Sequence, residues 1–285
     1  MKSLASIVVG LDFSECSRVA LGHAQRVASW AGAQVHPVHV VDAPVDEMPE
    51  EAALTVMQRG IREGLVEDAR KRWDAFVEGS PGASDLRLDV CVAHRLVGIR
   101  QQLDHHKADL LVLGAFGEQR PSVGMGTLAS ACVRSVPTDV LIVRDNYRDP
   151  FRTVVVGIDF SATCQRALEA ASLMAHGEGA KLYAAHVVPA QVETFAQLRN
   201  ELGPDLNAFV NETTRKYPGL DVHARVFPYS GHRSGVLEFA ARVDADLGAV
   251  GTRGQSNLRD VVLGSTAEKI LRDSVCAVWA AKPRL

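Results

Sequence analysis

The chain has 285 residues, of which 47% are apolar and 23% are charged, and its formal net charge is −3. This length accommodates two domains of about 140 residues, each able to bury a core. The net charge argues against a nucleic-acid-binding protein, which needs a concentrated basic face. No apolar run approaches the roughly 18–20 residues that span a bilayer, so no membrane partner is predicted. The first residues lack the architecture of a signal peptide, and a cytoplasmic protein is expected.

In the first half, short runs rich in β-branched residues alternate with segments of helical periodicity. The predicted strands are Ile7–Leu11, Gln34–Val41, Leu86–Val92, Leu110–Gly114 and Val140–Val143. The predicted helices are one that begins after the N-cap Ser14 and then Glu50–Glu78, Leu96–His106 and Thr127–Ser135. The fourth strand is a continuous apolar run, which is typical of a strand buried on both faces of a sheet.

The second half repeats this order of elements. Its predicted strands are Thr153–Ile158, Lys181–Val188, Asp221–Phe227, Leu247–Gly251 and Ala277–Ala281. Its predicted helices are Cys164–Glu178, Val192–Lys216, Ser234–Val243 and Thr266–Asp273. Strands alternating with helices predict, in each half, an α/β fold with a five-stranded parallel sheet and helices on both faces. A doubly wound strand order is expected, either 2-1-3-4-5 or 3-2-1-4-5.

Two matching segments indicate a tandem repeat. Ile7–Ser14 reads Ile-Val-Val-Gly-Leu-Asp-Phe-Ser, and Val154–Ser161 reads Val-Val-Val-Gly-Ile-Asp-Phe-Ser. Self-similarity of this length predicts two copies of one domain, at 1–146 and 151–285, with a short polar linker between them. The first copy is longer, and its extra residues are placed in the acidic stretch 42–51. That stretch is open to two interpretations, a surface for a protein partner or a lid over a small-ligand pocket.

The residues that carry chemistry fall where a doubly wound sheet binds its ligands, beyond the carboxyl ends of the strands. Asp159 ends the first strand of the second half, where a carboxylate can accept a hydrogen bond from an exocyclic amine. Gly251 and Gly254 follow the fourth strand, and glycines there allow backbone N–H groups to surround a phosphate. Gly264 and Ser265 open the last helix, whose N-terminus favours an anion.

This pattern resembles the universal stress protein family in a tandem two-domain form. The loop Gly251-x2-Gly254-x9-Gly264-Ser265 has the spacing of that family's ATP-binding motif. The resemblance implies that ATP, with or without Mg²⁺, is bound, with Asp159 and the backbone of Val187 facing adenine. It also implies that the fifth strands of the two halves pair about a pseudo-two-fold axis. The contacts predicted for the second half are Asp159, Val187, Gly251, Arg253, Gly254, Gly264, Ser265 and Thr266.

The first half departs from this pattern. Its loop is one residue shorter, Pro121 interrupts it, and Glu118 adds a negative charge near the expected phosphate position. The second half is therefore the better candidate for ATP binding. The corresponding residues of the first half, the weaker candidates, are Asp12, Val40, Gly114, Gly117, Gly126 and Thr127.

Histidines and cysteines give further hypotheses. The pairs His94-Arg95 and His232-Arg233 follow the third strands, where they can contact phosphate or the opposite half, or can form a helix-capping turn. His39 and His186 are expected to be hydrogen-bonded core residues, whereas His105-His106 is interpreted as solvated helix surface. The five cysteines are scattered, so neither a disulfide nor a metal site is predicted. The predicted buried thiols are Cys132 and Cys276, whereas Cys16 and Cys164 leave a redox role open.

Three functions compete. The favoured one is a nucleotide-binding stress-response regulator without efficient catalysis. The second is a scaffold that binds partners or another small ligand and no nucleotide, for which the altered first loop is the argument. The third is an ATP-using enzyme, which would require an acidic pair for Mg²⁺ or a Walker-type Gly-Lys-Ser/Thr sequence, and the glycine loops contain neither. The protein partners, and whether the chain pairs again into a homodimer, stay open.

Overall fold

The computed structural model describes residues 4–42, 56–78, 80, 82–117, 125–145, 150–189, 195–231, 234–252 and 263–283, except for the side chains of 56–59. None of the helices within these ranges is both long and apolar enough to cross a membrane.

The first half alternates strands and helices in the predicted order. Its elements are β1 (Ser6–Gly10), α1 (Glu15–Ala31), β2 (Gln34–Val41), α2 (Val56–Glu78), β3 (Asp89–Val92), α3 (Arg95–His105), β4 (Leu110–Gly114), α4 (Thr127–Ser135) and β5 (Asp139–Val143). The third strand is shorter than predicted, because Leu86 lies in a turn. Its N–H donates a hydrogen bond to the Ala83 carbonyl at 3.1 Å. The start predicted for α2 at Glu50 lies outside the described residues.

The second half follows the same sequence of elements. They are β6 (Thr153–Gly157), α5 (Ala162–Glu178), β7 (Lys181–Pro189), α6 (Phe195–Thr214), β8 (Val222–Tyr229), α7 (Gly235–Arg242), β9 (Leu247–Gly251), α8 (Ser265–Asp273) and β10 (Ala277–Ala281). The first helices α1 and α5 both end at a glycine in the left-handed region, Gly32 and Gly179. Glycine adopts that conformation at no steric cost, so each helix stops at the same place in its own half.

The ten strands of the described residues form one sheet in the order β3-β2-β1-β4-β5-β10-β9-β6-β7-β8. Each half is parallel with the order 3-2-1-4-5, which is one of the two predicted orders. The two fifth strands pair antiparallel, with Leu141 opposite Trp279, as the resemblance to tandem stress proteins implied. Helices α1, α2, α5 and α6 cover one face, and α3, α4, α7 and α8 cover the other.

The two halves also meet through the helices α1 and α5. Trp30 in α1 packs over Gly177 in α5, and any side chain at position 177 would collide with the indole ring. The Glu178 carboxylate, 1% exposed, lies 2.9 Å from Nε of Arg26. It also accepts a hydrogen bond from Nε1 of Trp30 at 3.3 Å. This contact therefore combines close packing with a buried ion pair between the halves.

A second buried carboxylate joins the halves at the strand pair. Asp139, in β5, accepts hydrogen bonds from the Lys282 N–H at 2.8 Å and from Nε1 of Trp279 at 3.3 Å. It also accepts one from Nη2 of Arg166 at 3.2 Å. All three donors belong to the second half. Burial raises the pKa of Asp139, while the Lys282 N–H and the Arg166 guanidinium act in the opposite direction.

We expect Asp139→Ala to destabilise the chain by about 3 kcal/mol or more, because it leaves the largely buried Arg166 guanidinium without its carboxylate. Urea unfolding followed by circular dichroism measures the change. The matched control is Glu67→Ala, which removes an exposed i,i+4 ion pair with Lys71 and should change stability little. Equal effects of the two substitutions would show that Asp139 does not hold the halves together.

A buried histidine predicts a loss of stability in acid. His23, in α1, stacks on Phe151 at 4.7 Å between ring centroids, and burial followed by the charge of Arg26 lowers its pKa to about 3. Between pH 6.5 and about 3 the unfolded chain binds a proton that the folded chain does not, so stability falls as the pH falls through this window. We expect a loss of about 2 kcal/mol between pH 7 and pH 5 from this group.

His23→Leu should remove this component and make stability less dependent on pH, as measured by urea unfolding of both proteins at pH 7 and pH 5. An unchanged difference between the two pH values would contradict the assignment.

Candidate functional site

Each half has one pair of neighbouring strands after which the chain continues to opposite faces of the sheet. In the first half β1 pairs with β2 on one side and with β4 on the other, and in the second half β6 lies between β7 and β9. The loops after β1 and β4, or after β6 and β9, therefore separate and leave a crevice at the carboxyl edge. Those predicted site residues that the structure describes lie at the carboxyl edge, around these two crevices.

The turn after the first strand has the same geometry in both halves. Oδ1 of Asp12 accepts from the Ser14 N–H at 3.0 Å, and Oδ1 of Asp159 accepts from the Ser161 N–H at 2.9 Å. Each serine then caps the following helix through its side chain. The residue between them has a left-handed backbone, with φ of 67° at Phe13 and 60° at Phe160. A non-glycine residue in this region is uncommon and points to a functional or tightly constrained turn.

A histidine on the second strand supports each turn. Nδ1 of His39 lies 2.8 Å from the Leu11 carbonyl, and Nδ1 of His186 lies 2.8 Å from the Ile158 carbonyl. Since a carbonyl oxygen can only accept, Nδ1 carries the proton in both rings. The hydrogen bonds predicted for these histidines are confirmed, but both side chains are half-buried and do not lie in the core. Their rings also contact the turn aromatics, Phe13 at 4.6 Å and Phe160 at 5.1 Å between centroids.

Packing explains the glycines at the ends of the fourth strands. A Cβ on Gly251 would lie 2.8 Å from the backbone carbonyl carbon of Thr163, in the first turn of α5. A Cβ on Gly114 would lie 3.1 Å from the same atom of Cys16, in α1. The sequence motif predicts that these glycines let the backbone come close to a phosphate. In the structure they let α1 and α5 pack closely against the fourth strands.

The valines predicted to face adenine lie beside the third helix of each half. A side chain on Gly98 would meet Cγ1 of Val40 at 2.6 Å, and one on Gly235 would collide with Cγ1 of Val187. Their side chains therefore pack against α3 and α7. Any contact of these residues with a base would use the backbone, as the resemblance implies for Val187.

The N-terminus of the last helix completes each crevice. The Gly264 N–H donates to the Thr252 carbonyl at 3.0 Å, and the Gly126 N–H donates to the Ala115 carbonyl at 2.8 Å. Neither glycine can cap its helix with a side chain, so the first-turn N–H groups of α8 and α4 have no side-chain cap. Ser265 and Thr266 are exposed on that turn of α8, as is Thr127 on α4. Such a helix end suits an anion.

The two crevices differ in their surroundings. In the first half, Oδ2 of Asp12 lies so close to Gly117 that a Cβ there would be 2.5 Å away. The Arg72 guanidinium of α2 lies over the Phe13 ring at 4.6 Å and donates to the Asp12 carbonyl at 3.4 Å. Asp12 is half-buried, whereas Asp159 is exposed. The contribution of Arg72 could not be predicted, since the helical pattern of α2 does not indicate which strand end it covers.

Arg95 forms a contact within its own half. Its Nε lies 3.0 Å from Oδ2 of Asp42, which joins the start of α3 to the end of β2. His94 is the N-cap of α3, but its side chain makes no capping hydrogen bond. The interpretation of this pair as a helix-capping turn is therefore confirmed for the His94 backbone, whose carbonyl accepts from the Gly98 N–H at 2.9 Å.

Several predicted residues lie outside the described part of the chain. They are the loop residues Arg253 and Gly254, the pair His232-Arg233, the first-half loop residues Glu118 and Pro121, and the acidic stretch beyond Asp42.

The cysteines give no sign of redox chemistry. Cys16 and Cys164 are buried in the first turns of α1 and α5, and burial raises the pKa of Cys164 to about 12. A thiol reacts as its thiolate, so this shift opposes a redox role. The predicted burial of Cys132 and Cys276 is confirmed.

Comparisons with known proteins agree with this architecture. The model of the family described as "Universal stress protein family" matches residues 4–144 and again residues 150–282. A universal stress protein of Methanocaldococcus jannaschii is 26% identical over 147 residues, covering 48% of this chain and 85% of that protein. The crystal structure of a universal stress protein from Archaeoglobus fulgidus has a TM-score of 0.66 at 19% identity, covering 99% of both chains. Another from Archaeoglobus fulgidus, solved in complex with dAMP, is 22% identical, covers 46% of this chain and 98% of that chain, and has a TM-score of 0.38.

We expect Gly251→Ala to destabilise the chain by about 1–3 kcal/mol, because the new methyl group would press on the α5 backbone. Gly248→Ala, in the same strand, is the matched control, since its methyl group would meet no atom nearer than 3.9 Å. Urea unfolding without added nucleotide measures both changes. A neutral Gly251→Ala would mean that packing does not require this glycine.

Proposed function

We propose a function from the premise that this chain belongs to the universal stress protein family, whose model matches it twice. The second half binds an adenine nucleotide, with ATP as the expected ligand, at the crevice beyond β6 and β9. The chain acts as a nucleotide-binding regulator and not as an enzyme. Mg²⁺ can accompany the phosphates.

One observation carries this proposal. An exposed carboxylate, Asp159, and an exposed helix N-terminus without a side-chain cap, at Ser265 and Thr266, lie at the same switch point of one parallel sheet. The carboxylate suits the exocyclic amine of adenine, and the helix end suits phosphate. The carboxylate prefers a hydrogen-bond donor and the helix end prefers an anion. A ligand with a base at one end and phosphates at the other provides both.

The first half is proposed as structural support with little or no nucleotide binding. Its carboxylate lies against Gly117, so a negative charge already sits at the start of the glycine loop. Phosphate placed there would be repelled. The same half supplies Asp139 to the buried contact with the second half, which gives it a supporting role independent of any ligand.

The absence of catalysis is also proposed from the side chains that line the crevices. The histidine Nδ1 atoms hold the turn carbonyls, and the cysteines beside the turns are buried. These described groups therefore serve the fold, and none is placed as a general base or a nucleophile. Any hydrolysis of ATP would be slow.

Calorimetry with a pair of charge substitutions tests the proposal. Ser265→Glu places a carboxylate at the first helical position of α8, where it should stabilise the helix but repel phosphate. We expect the Kd for ATP to rise about tenfold or more, which corresponds to about 1.4 kcal/mol. Thr127→Glu is the matched control in α4 and should leave the Kd unchanged.

Thermal unfolding checks that both variants fold. No heat with the wild-type chain would favour the scaffold function over nucleotide binding. A larger effect of Thr127→Glu than of Ser265→Glu would place the nucleotide in the first half and contradict the proposed division between the halves.

A further inference from the structure

Three potential metal ligands meet at the amino edge of the first half, opposite its crevice. They are His36 near the start of β2, Asp89 at the start of β3, and His106 directly after α3. Val38 pairs with Asp89 in the parallel register, and His36 lies two residues before Val38, on the same face of the sheet. The chain returns along α3 to this edge, which brings His106 to the other two residues.

The side chains of these residues are in direct contact. Nε2 of His106 lies 2.9 Å from Oδ2 of Asp89, and the rings of His36 and His106 stack with centroids 3.9 Å apart. One ligand atom from each residue lies within 4.8 Å of the other two. The His106 side chain is only 13% exposed, so the interpretation of His105-His106 as solvated surface is wrong for His106.

We infer that His36, Asp89 and His106 form a binding site for a divalent transition-metal ion of the Zn²⁺ type. Two imidazole nitrogens and one carboxylate oxygen are ligands that Zn²⁺ prefers. The ligand atoms of a tetrahedral zinc centre lie about 3.3 Å apart. Because the rings of His36 and His106 are stacked, one ring must turn about its side-chain torsions before both nitrogens point at one ion. The ion would replace the direct contact between Nε2 of His106 and Oδ2 of Asp89.

An open fourth position is available at this site. His36 and Asp89 also line a cleft of about 670 Å³, together with Gln34 at the start of β2 and Arg87 before β3. Water or a small anion can therefore reach the ion and complete its coordination. Three protein ligands with one exchangeable position are typical of zinc sites that are not purely structural.

The backbone around His106 is held in place before any ion binds. The Ser6 hydroxyl donates to the His106 carbonyl at 2.9 Å. The Asp109 carboxylate accepts from the N–H groups of Ala5 at 2.9 Å and Ser6 at 3.1 Å. These bonds fix the segment after α3 to the start of β1. A ligand on such a segment loses little freedom when it coordinates.

The second half provides a natural comparison. Tyr183 stands at the repeat position of His36, where its ring stacks on His223 at 4.9 Å between centroids. His223 pairs with Asp221 at 2.9 Å. At the position of His36 the second half therefore has a phenol in place of an imidazole, stacked on the His223–Asp221 pair. The metal site is a property of the first half.

Metal titration of the untagged 285-residue chain tests this inference. We expect calorimetry with Zn²⁺ to give one site per chain, and Co²⁺ to give visible absorption bands that Zn²⁺ displaces. His106→Gln and Asp89→Asn should each weaken binding about 10-fold or more. His105→Gln, next to the site, and His223→Gln, in the second half, are the matched controls and should leave binding unchanged.

Unfolding of each variant without metal shows whether it folds. If His106→Gln does not fold, Asp89→Asn still tests the inference. Zn²⁺ should raise the unfolding temperature of the wild type more than that of either site variant. The absence of a Zn²⁺ site in the wild type would overturn the inference. An equal loss of binding with His105→Gln or His223→Gln would also overturn it, since the ion would then bind surface histidines generally.

Discussion

The antiparallel pairing of β5 with β10 is the interaction on which the rest of the structure depends. It turns two five-stranded sheets into one sheet of ten strands. The pairing is fixed on one face by Trp279, 1% exposed, and on its edge by the buried Asp139 carboxylate. Because the two halves run in opposite directions there, their carboxyl edges face opposite ways. The two crevices are therefore separate, and each can change without changing the other.

That separation gives a physical reason for unequal halves. Both copies keep the turn that places a carboxylate after the first strand, together with the capping serine and the supporting histidine. These groups belong to the fold. The surroundings of these groups differ between the halves. In the first half Arg72 covers the turn and Asp12 lies against Gly117, whereas in the second half Asp159 is exposed. At the opposite edge of the first half, His36 replaces the aromatic residue Tyr183. We thus propose a nucleotide site in the second half and a metal site in the first half, on the same framework.

Much of the fold follows from the sequence because the signals are local. The apolar runs Leu110–Gly114 and Leu247–Gly251 were predicted with the bounds that the structure has, since each is a short buried strand ending in glycine. The third strand was predicted too long, because Leu86 is apolar but lies in a turn. Local patterns do not reveal which apolar residues bend away from a sheet.

The candidate sites were less predictable, because they depend on contacts between distant segments. The repeat placed Asp12 and Asp159 at the ends of the first strands, and in the structure each carboxylate accepts from the N–H of the following serine. It could not show that Gly251 is required by the backbone of Thr163, since that contact is tertiary. Likewise, His36, Asp89 and His106 meet only through strand register and the return of α3, so their spacing along the chain has no metal-binding pattern.

The most direct test of the central proposal is to locate the nucleotide by amide chemical shifts of ¹⁵N-labelled protein titrated with ATP. We expect saturable shifts at the first turn of α8, from Ser265 to Ala267, and at the turn around Asp159. Shifts centred on Thr127 and Asp12, or no saturable shifts at either crevice, would contradict it.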